Sequence, residues 1–281
     1  MLRHLLDSLS RPQVVIRGSN PDWLRALGPG AAVWRRLGPY SVVHATKLGV
    51  PPTWRKRFVI PLFEHHTRTM PRPCWALIPS PEAIHVFKEK DGFLDYAKAQ
   101  GLADYLPEHY EIAAPRFPAV LKRTNLNAGD GIVVVESAEE LARRLGEKPW
   151  ADNPVLLQEV ILGEAEEVAH LVCVGGRIRW WAAFAYPLES PREIRKVSQT
   201  SEMVRVGLGA EDIAVFERFL LPVGFDGPAA VNYKRRADGR VAIFEFNARF
   251  GGSLMRPQHI DDLEAALRVV LAEAKWQEAA R

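Results

Sequence analysis

Cysteine is nearly missing from this 281-residue chain: there are two, Cys74 and Cys173, far apart and without metal-type spacing. That excludes a disulfide framework and a cysteine–zinc centre, and leaves buried free thiols in a reducing cytosol as the expectation. No apolar run approaches the roughly 18 residues needed to span a bilayer. The opening Met1-Leu2-Arg3-His4-Leu5-Leu6 is too short and too interrupted for a secretory signal. A cytoplasmic protein with no membrane partner is therefore expected. There is no internal repeat and no low-complexity segment. A dominant basic patch is missing too: 37 Lys and Arg are scattered among 34 Asp and Glu, for a net charge of +3. This leans weakly toward anionic ligands and gives no argument for a nucleic-acid partner, and the eight tryptophans form no stripe at nucleic-acid-binding spacing.

What is present is an ordinary globular composition, 47% hydrophobic and 25% charged, in a chain long enough for two domains or one domain with subdomains. Val14-Val15-Ile16, Phe58-Val59-Ile60 and Trp75-Ala76-Leu77-Ile78 read as strands of an open α/β layer. Ser80 caps a helical stretch that runs to Gly101 and breaks at Asp91-Gly92. From Phe117 strands dominate: Ala119–Arg123, Ile132–Val135, Val155–Ile161, Ala169–Val174, Ile178–Tyr186, Ala229–Lys234 and Arg240–Asn247. Ser137-Ala138-Glu139-Glu140 opens an amphipathic helix as a capping box. A second helix is expected near Ala210–Leu221. A third closes the chain, with Ile260, Leu263, Leu267, Val270 and Leu271 on one face. The polar run Pro187–Gly207 reads as a loop at a binding site, where Arg192, Arg195 and Lys196 could close over an anionic substrate, or as a solvated excursion.

Phe244-Glu245-Phe246-Asn247-Ala248-Arg249-Phe250-Gly251-Gly252-Ser253 carries the most chemistry. Alternation puts Glu245 and Asn247 on one face of a strand, with Phe244, Phe246 and Phe250 on the other. Asp238-Gly239 marks a two-residue hairpin turn; counting outward, Ala237 pairs with Arg240 and Asn232 lies opposite Glu245. Glu245, Asn247 and Asn232 thus converge as oxygen donors for a hard cation such as Mg²⁺. The plainer reading is a ladder strand with satisfied polar groups. Arg249 and the backbone amides of Gly251–Ser253 suit a phosphate or carboxylate.

Upstream, Lys122 ends a strand before a donor-rich loop that contains Gly129 and Gly131. That loop is no P-loop, since no Gly-Lys-Ser/Thr follows, and no dinucleotide fingerprint, since it leads into a strand; by itself it could be a common hairpin. Gln158, Glu159, Val160 and Ile161 end an apolar strand before an acidic turn holding Glu164 and Glu166. His65-His66, read as neighbours on a strand, face opposite ways and are given no role.

The order of these pieces resembles the ATP-grasp superfamily, and the last motif resembles its carbamoyl-phosphate synthetase type and carboxylate–amine ligases. The resemblance runs from about Ser80 to the C-terminus and, more loosely, through the N-terminal part. It implies an α/β and α+β protein: two α+β subdomains enclosing ATP, preceded by a short α/β domain. The expected division is residues 1–79 for that domain, 80–115 for a helical linker, 116–185 for the subdomain with glycine loop and hinge, and 186–281 for the subdomain with the metal hairpin.

The resemblance further implies that Lys122 contacts the phosphates and that the Asn127–Gly131 loop covers them. Lys88 or Lys90 would supply a further lysine. Gln158 to Ile161 would form the adenine hinge, and Glu166, or Glu164 under a small shift, would hold the ribose. Glu245 and Asn247 would bind Mg²⁺, with Mn²⁺ as an alternative, and Arg249 would meet the transferred phosphate. Many members have an acid where this chain has Asn232, although some carry an amide. The implied activity is ATP-dependent joining of a small-molecule or peptide carboxylate to an amine. A phosphotransferase of the same fold and a non-catalytic nucleotide-binding protein are the alternatives, and a homodimer is left open.

Overall fold

The computed structural model describes residues 11–46, 55–88, 92–124, 131–195 and 202–278, and the backbone of 90–91. Val14, Val15 and Ile16 have no exposed surface, as a parallel strand covered on both faces requires. They lie in β1 (Gln13–Arg17), which runs parallel to β2 (Ser41–Ala45) on one side and β3 (Arg57–Pro61) on the other; β4 (Cys74–Ala76) is parallel to β3. Between β1 and β2 come α1 (Pro21–Leu27) and α2 (Ala32–Leu37). Asn20 starts α1 by accepting the amides of Asp22 and Trp23 at 3.0 and 3.2 Å, with Pro21 in the first position. Because β2 and β3 flank β1, the sheet reverses its winding there, the point at which open α/β sheets place a crevice at the carboxyl ends of their strands.

Two helical stretches follow, α3 (Pro81–Lys88) and α4 (Lys90–Ala99); Asp91-Gly92, expected to break the helix, lie in the first turn of α4. A small antiparallel sheet comes next: β5 (His109–Tyr110), β6 (Ala119–Arg123), β7 (Ile132–Val135) and β8 (Val155–Glu159), in the order β5-β8-β6-β7. The helix α5 (Ala138–Gly146) covers it through Leu141, which packs with Leu121, Trp150 and Leu157. Ser137 Oγ accepts the Glu140 amide at 3.3 Å and Glu140 Oε2 accepts the Glu136 amide at 3.1 Å, so the capping box forms one residue wider than its ideal pattern.

The third sheet is the largest in extent: β9 (Ala165–Val174), β10 (Arg177–Pro187), β11 (Val204–Val206), β12 (Gly227–Arg235) and β13 (Val241–Asn247), in the order β11-β10-β9-β12-β13, with α6 (Ala210–Leu220) between β11 and β12. The chain then forms α7 (Ile260–Ala272), whose apolar face is the expected one, and β14 (Lys275–Gln277), which returns to pair antiparallel with β4. Alternation divides the large sheet cleanly. Ala169, Leu171, Val231, Ile243 and Phe246 face α3, α4 and α6, while Val168, Val172, Phe184 and Ala230 face α7 and the N-terminal helices.

Three features differ from the sequence expectation. The step from the small to the large sheet falls between Glu159 and Ala165, so the boundary expected at 185/186 lies inside β10. The segment 80–115 is no mere linker, because Phe87 and Phe93 are buried with Phe219 and Phe246 under the large sheet. Finally, β14 ties the C-terminus to the N-terminal sheet. Among the described residues no helix is long and apolar enough to cross a membrane.

Candidate functional site

The hairpin of β12 and β13 puts Asn232 opposite Glu245, as expected, but by a different route. The turn holds three residues, not two: Arg236 and Arg240 close it (2.8 Å), Gly239 donates to the Arg236 carbonyl (2.9 Å), and Gly239 takes the left-handed φ of 85°. That shifts the register by one, and a bulge at Phe244, between the Tyr233–Ile243 and Asn232–Glu245 pairs, shifts it back. The bulge also turns Phe244 away from the apolar face. Its ring lies under Lys122, whose Nζ is 5.5 Å from the centroid, while Phe246 alone enters the helix-covered core; Phe250 packs with the cluster on the opposite side.

Glu245 is exposed, and its Oε1 accepts from Asn232 Nδ2 at 2.6 Å and from Asn247 Nδ2 at 2.9 Å. Asn247 Oδ1 in turn accepts from Arg249 Nη2 at 2.9 Å. One carboxylate and two amides therefore meet within hydrogen-bond reach. Rotating each amide presents oxygens in place of the N–H groups, a donor set that suits a hard cation completed by water and phosphate. Among the described residues no group of three His, Cys, Asp or Glu gathers anywhere to hold a metal, so a cation here would rest on this mixed set.

Across from the hairpin, Lys122 in β6 sits between Ile132 and Leu156, half-buried. Gly131 has φ 65° and its carbonyl accepts the Arg123 amide at 2.9 Å, closing the glycine loop; Gly129 and Asn127 lie outside the described residues, as does the side chain of Lys90. Lys88 is exposed at the end of α3, whose buried face meets Phe246 on the side of the sheet away from Glu245.

The hinge is more heavily tied than the sequence suggested. Gln158 is buried in β8 and Val160 half-buried beyond it. Glu159 receives both terminal nitrogens of Arg236, at 2.6 and 2.9 Å, and the Glu108 amide at 3.1 Å, which binds the hinge to the hairpin turn. Burial opposes ionisation of Glu159, but these hydrogen bonds outweigh it and hold the carboxyl below its usual range. The Ile161 carbonyl accepts from Lys234 Nζ at 3.3 Å; the same ammonium reaches the carbonyls of Pro191 and Glu193 at 3.3 and 3.0 Å.

Glu166 does not stand open to a ribose. Burial raises its pKa, and Arg195, stacked on the Tyr186 ring at 4.0 Å, pairs with it at 3.3 Å. Glu164, two residues earlier, is exposed. Arg192 binds both oxygens of Glu136 at 3.1 Å, so Arg192 and Arg195 are engaged by carboxylates of the protein, and Lys196 lies outside the described residues.

Beyond Arg249 the chain turns inward. A Cβ on Gly251 would run into the His170 ring, and Ser253 Oγ lies 2.6 Å from His170 Nε2, so of Gly251, Gly252 and Ser253 only Gly252 is exposed. Burial pushes the His170 pKa down to about 3. Arg249 itself is held by the N-terminal domain: Nε is 3.2 Å from Glu64 Oε1, and the guanidinium lies 5.5 and 5.6 Å from the Trp23 and Phe63 ring centroids. His65 and His66 stand on a 3-10 turn, Glu64–Thr69, and not on a strand, which brings their rings to 4.0 Å. Sequence reasoning missed Glu64, Trp23, Arg236 and Lys234. Lys234 alone carried a signal, since it follows Asn232 by two positions and shares its face.

No protein-family model matches the chain, and no curated protein matches it in sequence. Its structure is nevertheless similar to several solved ones. L-amino acid ligase from Bacillus licheniformis superposes with a TM-score of 0.62 at 15% identity, over 96% of this chain and 75% of that one. N5-carboxyaminoimidazole synthase from Aspergillus clavatus, solved with ADP and its ribonucleotide, gives 0.60 at 14%, over 94% and 77%. D-alanyl-alanine synthetase A from Vibrio cholerae gives 0.60 at 12%, over 92% and 94%. The chain shares the fold of these structures, the ATP-grasp fold that the order of motifs implied.

Proposed function

We propose that this protein is an ATP-dependent ligase that activates a small-molecule or peptide carboxylate as an acyl phosphate for attack by an amine. The observation that carries the reading is the convergence of Glu245, Asn232 and Asn247 on one hairpin face, beside Arg249 and across from Lys122. A carboxylate does not acylate an amine at neutral pH, because oxide is too poor a leaving group. An oxygen of the substrate carboxylate therefore forms a bond to the γ-phosphorus, the bond from that phosphorus to the bridging oxygen breaks, and ADP leaves. The amine nitrogen then bonds to the acyl carbon, the carbon–oxygen bond to phosphate breaks, and the nitrogen gives its proton to solvent.

In this reading Glu245 holds Mg²⁺, or Mn²⁺ in its place, with Asn247 and Asn232 turned oxygen-first; the cation would neutralise phosphate charge. Lys122 balances phosphate charge from the small sheet, Gly131 shapes the covering loop, and Arg249 meets the phosphoryl as it moves, so that catalysis is mostly positioning and charge stabilisation. Val160 and Ile161 border the base. With Glu166 engaged by Arg195, the ribose hydroxyls fall to Glu164. Supporting the reading are the fold and the order of the pieces.

Incubation with ATP, Mg²⁺, hydroxylamine and a panel of carboxylic acids tests it. Hydroxamate with matching ADP release is the expected result. A stable phosphorylated acid without hydroxamate would point to a phosphotransferase, and ATP binding without turnover of any acid to a non-catalytic protein.

A further inference from the structure

The winding of the N-terminal sheet reverses at β1 and β3, and ligands of open α/β sheets bind at the carboxyl ends of such strands. Phe63 and Glu64 directly follow β3, and Trp23 comes from the helix that follows β1. The Trp23 and Phe63 rings stack at 4.9 Å and form a floor on which Arg249 rests. Glu64 and Arg249, at 3.2 Å, are 21% and 24% exposed, so both charges are partly open to solvent.

At this corner a glycine makes room for the His66 ring. Gly18, at the end of β1, has φ +117°, and a side chain there would run into the His66 ring. His66 Nδ1 accepts the Phe63 amide at 3.3 Å, which fixes the residue before Glu64 and leaves the proton on Nε2. Burial, then His65 and Arg17, lower the His66 pKa to about 4, so the imidazole adds no charge. The crevice thus offers one anion and one cation side by side on an aromatic floor. Arg249 Nε pairs with Glu64 at 3.2 Å, Nη1 donates to the Phe250 carbonyl (3.1 Å) and Nη2 to Asn247 Oδ1 (2.9 Å). Among the described residues one N–H on each terminal nitrogen has no partner, a pair that a carboxylate can take bidentately.

We propose that this crevice binds a zwitterionic α-amino acid, its carboxylate on Arg249 and its ammonium on Glu64, and that this amino acid is the acid the enzyme activates. The inference rests on the ligase reading and names its substrate class. The Glu64–Arg249 pair stays in place and gains a partner at each end, the ligand carboxylate on the terminal nitrogens of Arg249 and its ammonium on Glu64. A carboxylic acid without the ammonium would bring a second anion beside Glu64 with only Arg249 to balance the two, and an amine without the carboxylate would bring a second cation beside Arg249.

The test is calorimetric titration and ADP release with Mg²⁺ and ATP or a non-hydrolysable analogue, using the protein amino acids in L and D form beside their des-amino acids. At least one amino acid should bind or turn over roughly 100-fold better than its des-amino counterpart. Glu64→Gln should raise the Kd or KM for that amino acid about tenfold, narrow the ratio, and leave the KM for ATP unchanged. Equal use of the des-amino acid, or no binding by any amino acid, overturns the proposal. ATP binding in the same samples separates the two readings: with ATP bound and amino acids ignored, only the amino-acid site falls; without ATP binding, the ligase reading falls as well. If Glu64→Gln does not fold, the wild-type ratio decides.

Discussion

At the centre of the hairpin a single carboxylate, Glu245, is held between two amides, so its charge can be removed without removing its shape. Glu245→Gln should lower Mg²⁺-dependent ADP release by about 100-fold or more, the scale of losing one charge-stabilising group at a reacting centre. The thermal midpoint should stay within about 2 °C, since the site is exposed. Full activity in that variant would remove the metal assignment. The converse change, Asn232→Asp, sets two carboxylates against each other across a 2.6 Å contact. Without a cation they repel; with one they share it. Titration with Mg²⁺ in the presence of ATP should therefore show affinity raised several-fold, roughly threefold to tenfold, with a larger Mg²⁺-induced rise in thermal midpoint than in the parent. The facing of these residues was legible from Asp238-Gly239, yet through two offsets that cancel. A three-residue turn and a one-residue bulge have no distinctive composition here, and the bulge is what carries Phe244 to the Lys122 side.

Between elements, the Lys234 ammonium joins β12 to the carbonyl of Ile161, beyond β8, and to the carbonyls of Pro191 and Glu193, in the strap that follows β10. Its pKa is lowered by burial, against the pull of Glu166 and Glu193, and three carbonyls satisfy its three N–H groups. Lys234→Met keeps the stem and removes all three bonds. Amide exchange at Gly163, which donates to the Pro191 carbonyl, and at Leu188, which donates to Glu164, should rise about tenfold while the large sheet stays protected. Unchanged protection at both amides would mean that the strap holds without Lys234. Strand alternation carries a signal for the face of Lys234 that the sequence reading did not use, whereas the destination of its ammonium depends on a strap more than forty residues away in the chain. Glu166, read from the sequence as part of an acidic turn, stands instead near the start of β9, and its meeting with Arg195 was not legible either: an ion pair across a loop leaves no period in the sequence.

Over the whole molecule, the longer apolar strands were legible, but β2, β5 and β14 were not, nor was β11, which lies inside the run Pro187–Gly207 read as a loop. Strand partners were not legible either, because an apolar run reports burial on two faces and not which sheet lies beside it. That is why β9 and β10 were assigned to the small sheet, and why the return of β14 to the first sheet went unseen. The layers so formed meet at His170, 1% exposed on the large sheet against Ser253 and Phe184. Its pKa of about 3, against about 6.5 for a free imidazole, sets the sign of the acid response. The unfolded chain takes up a proton here below about pH 6.5, while the folded chain refuses it until about pH 3, so stability present at neutral pH is lost as pH falls through that window. Between pH 7 and pH 5 the loss from His170 is about 2 kcal/mol. His66, lowered to about 4, and His259, lowered by burial, act in the same direction, while Glu166, raised by burial, acts against them. The urea midpoint should therefore fall on acidification from pH 7 to pH 5, and fall less in His170→Asn, which keeps a polar group toward Ser253 without a titrating one. The parent value at pH 7 should also exceed that of the variant, since the asparagine leaves part of the imidazole volume unfilled. A midpoint that holds steady from pH 7 to pH 5 in the parent would mean that His170 is protonated in the fold, and with it that the junction under the Arg249 loop is wetter than the structure draws it.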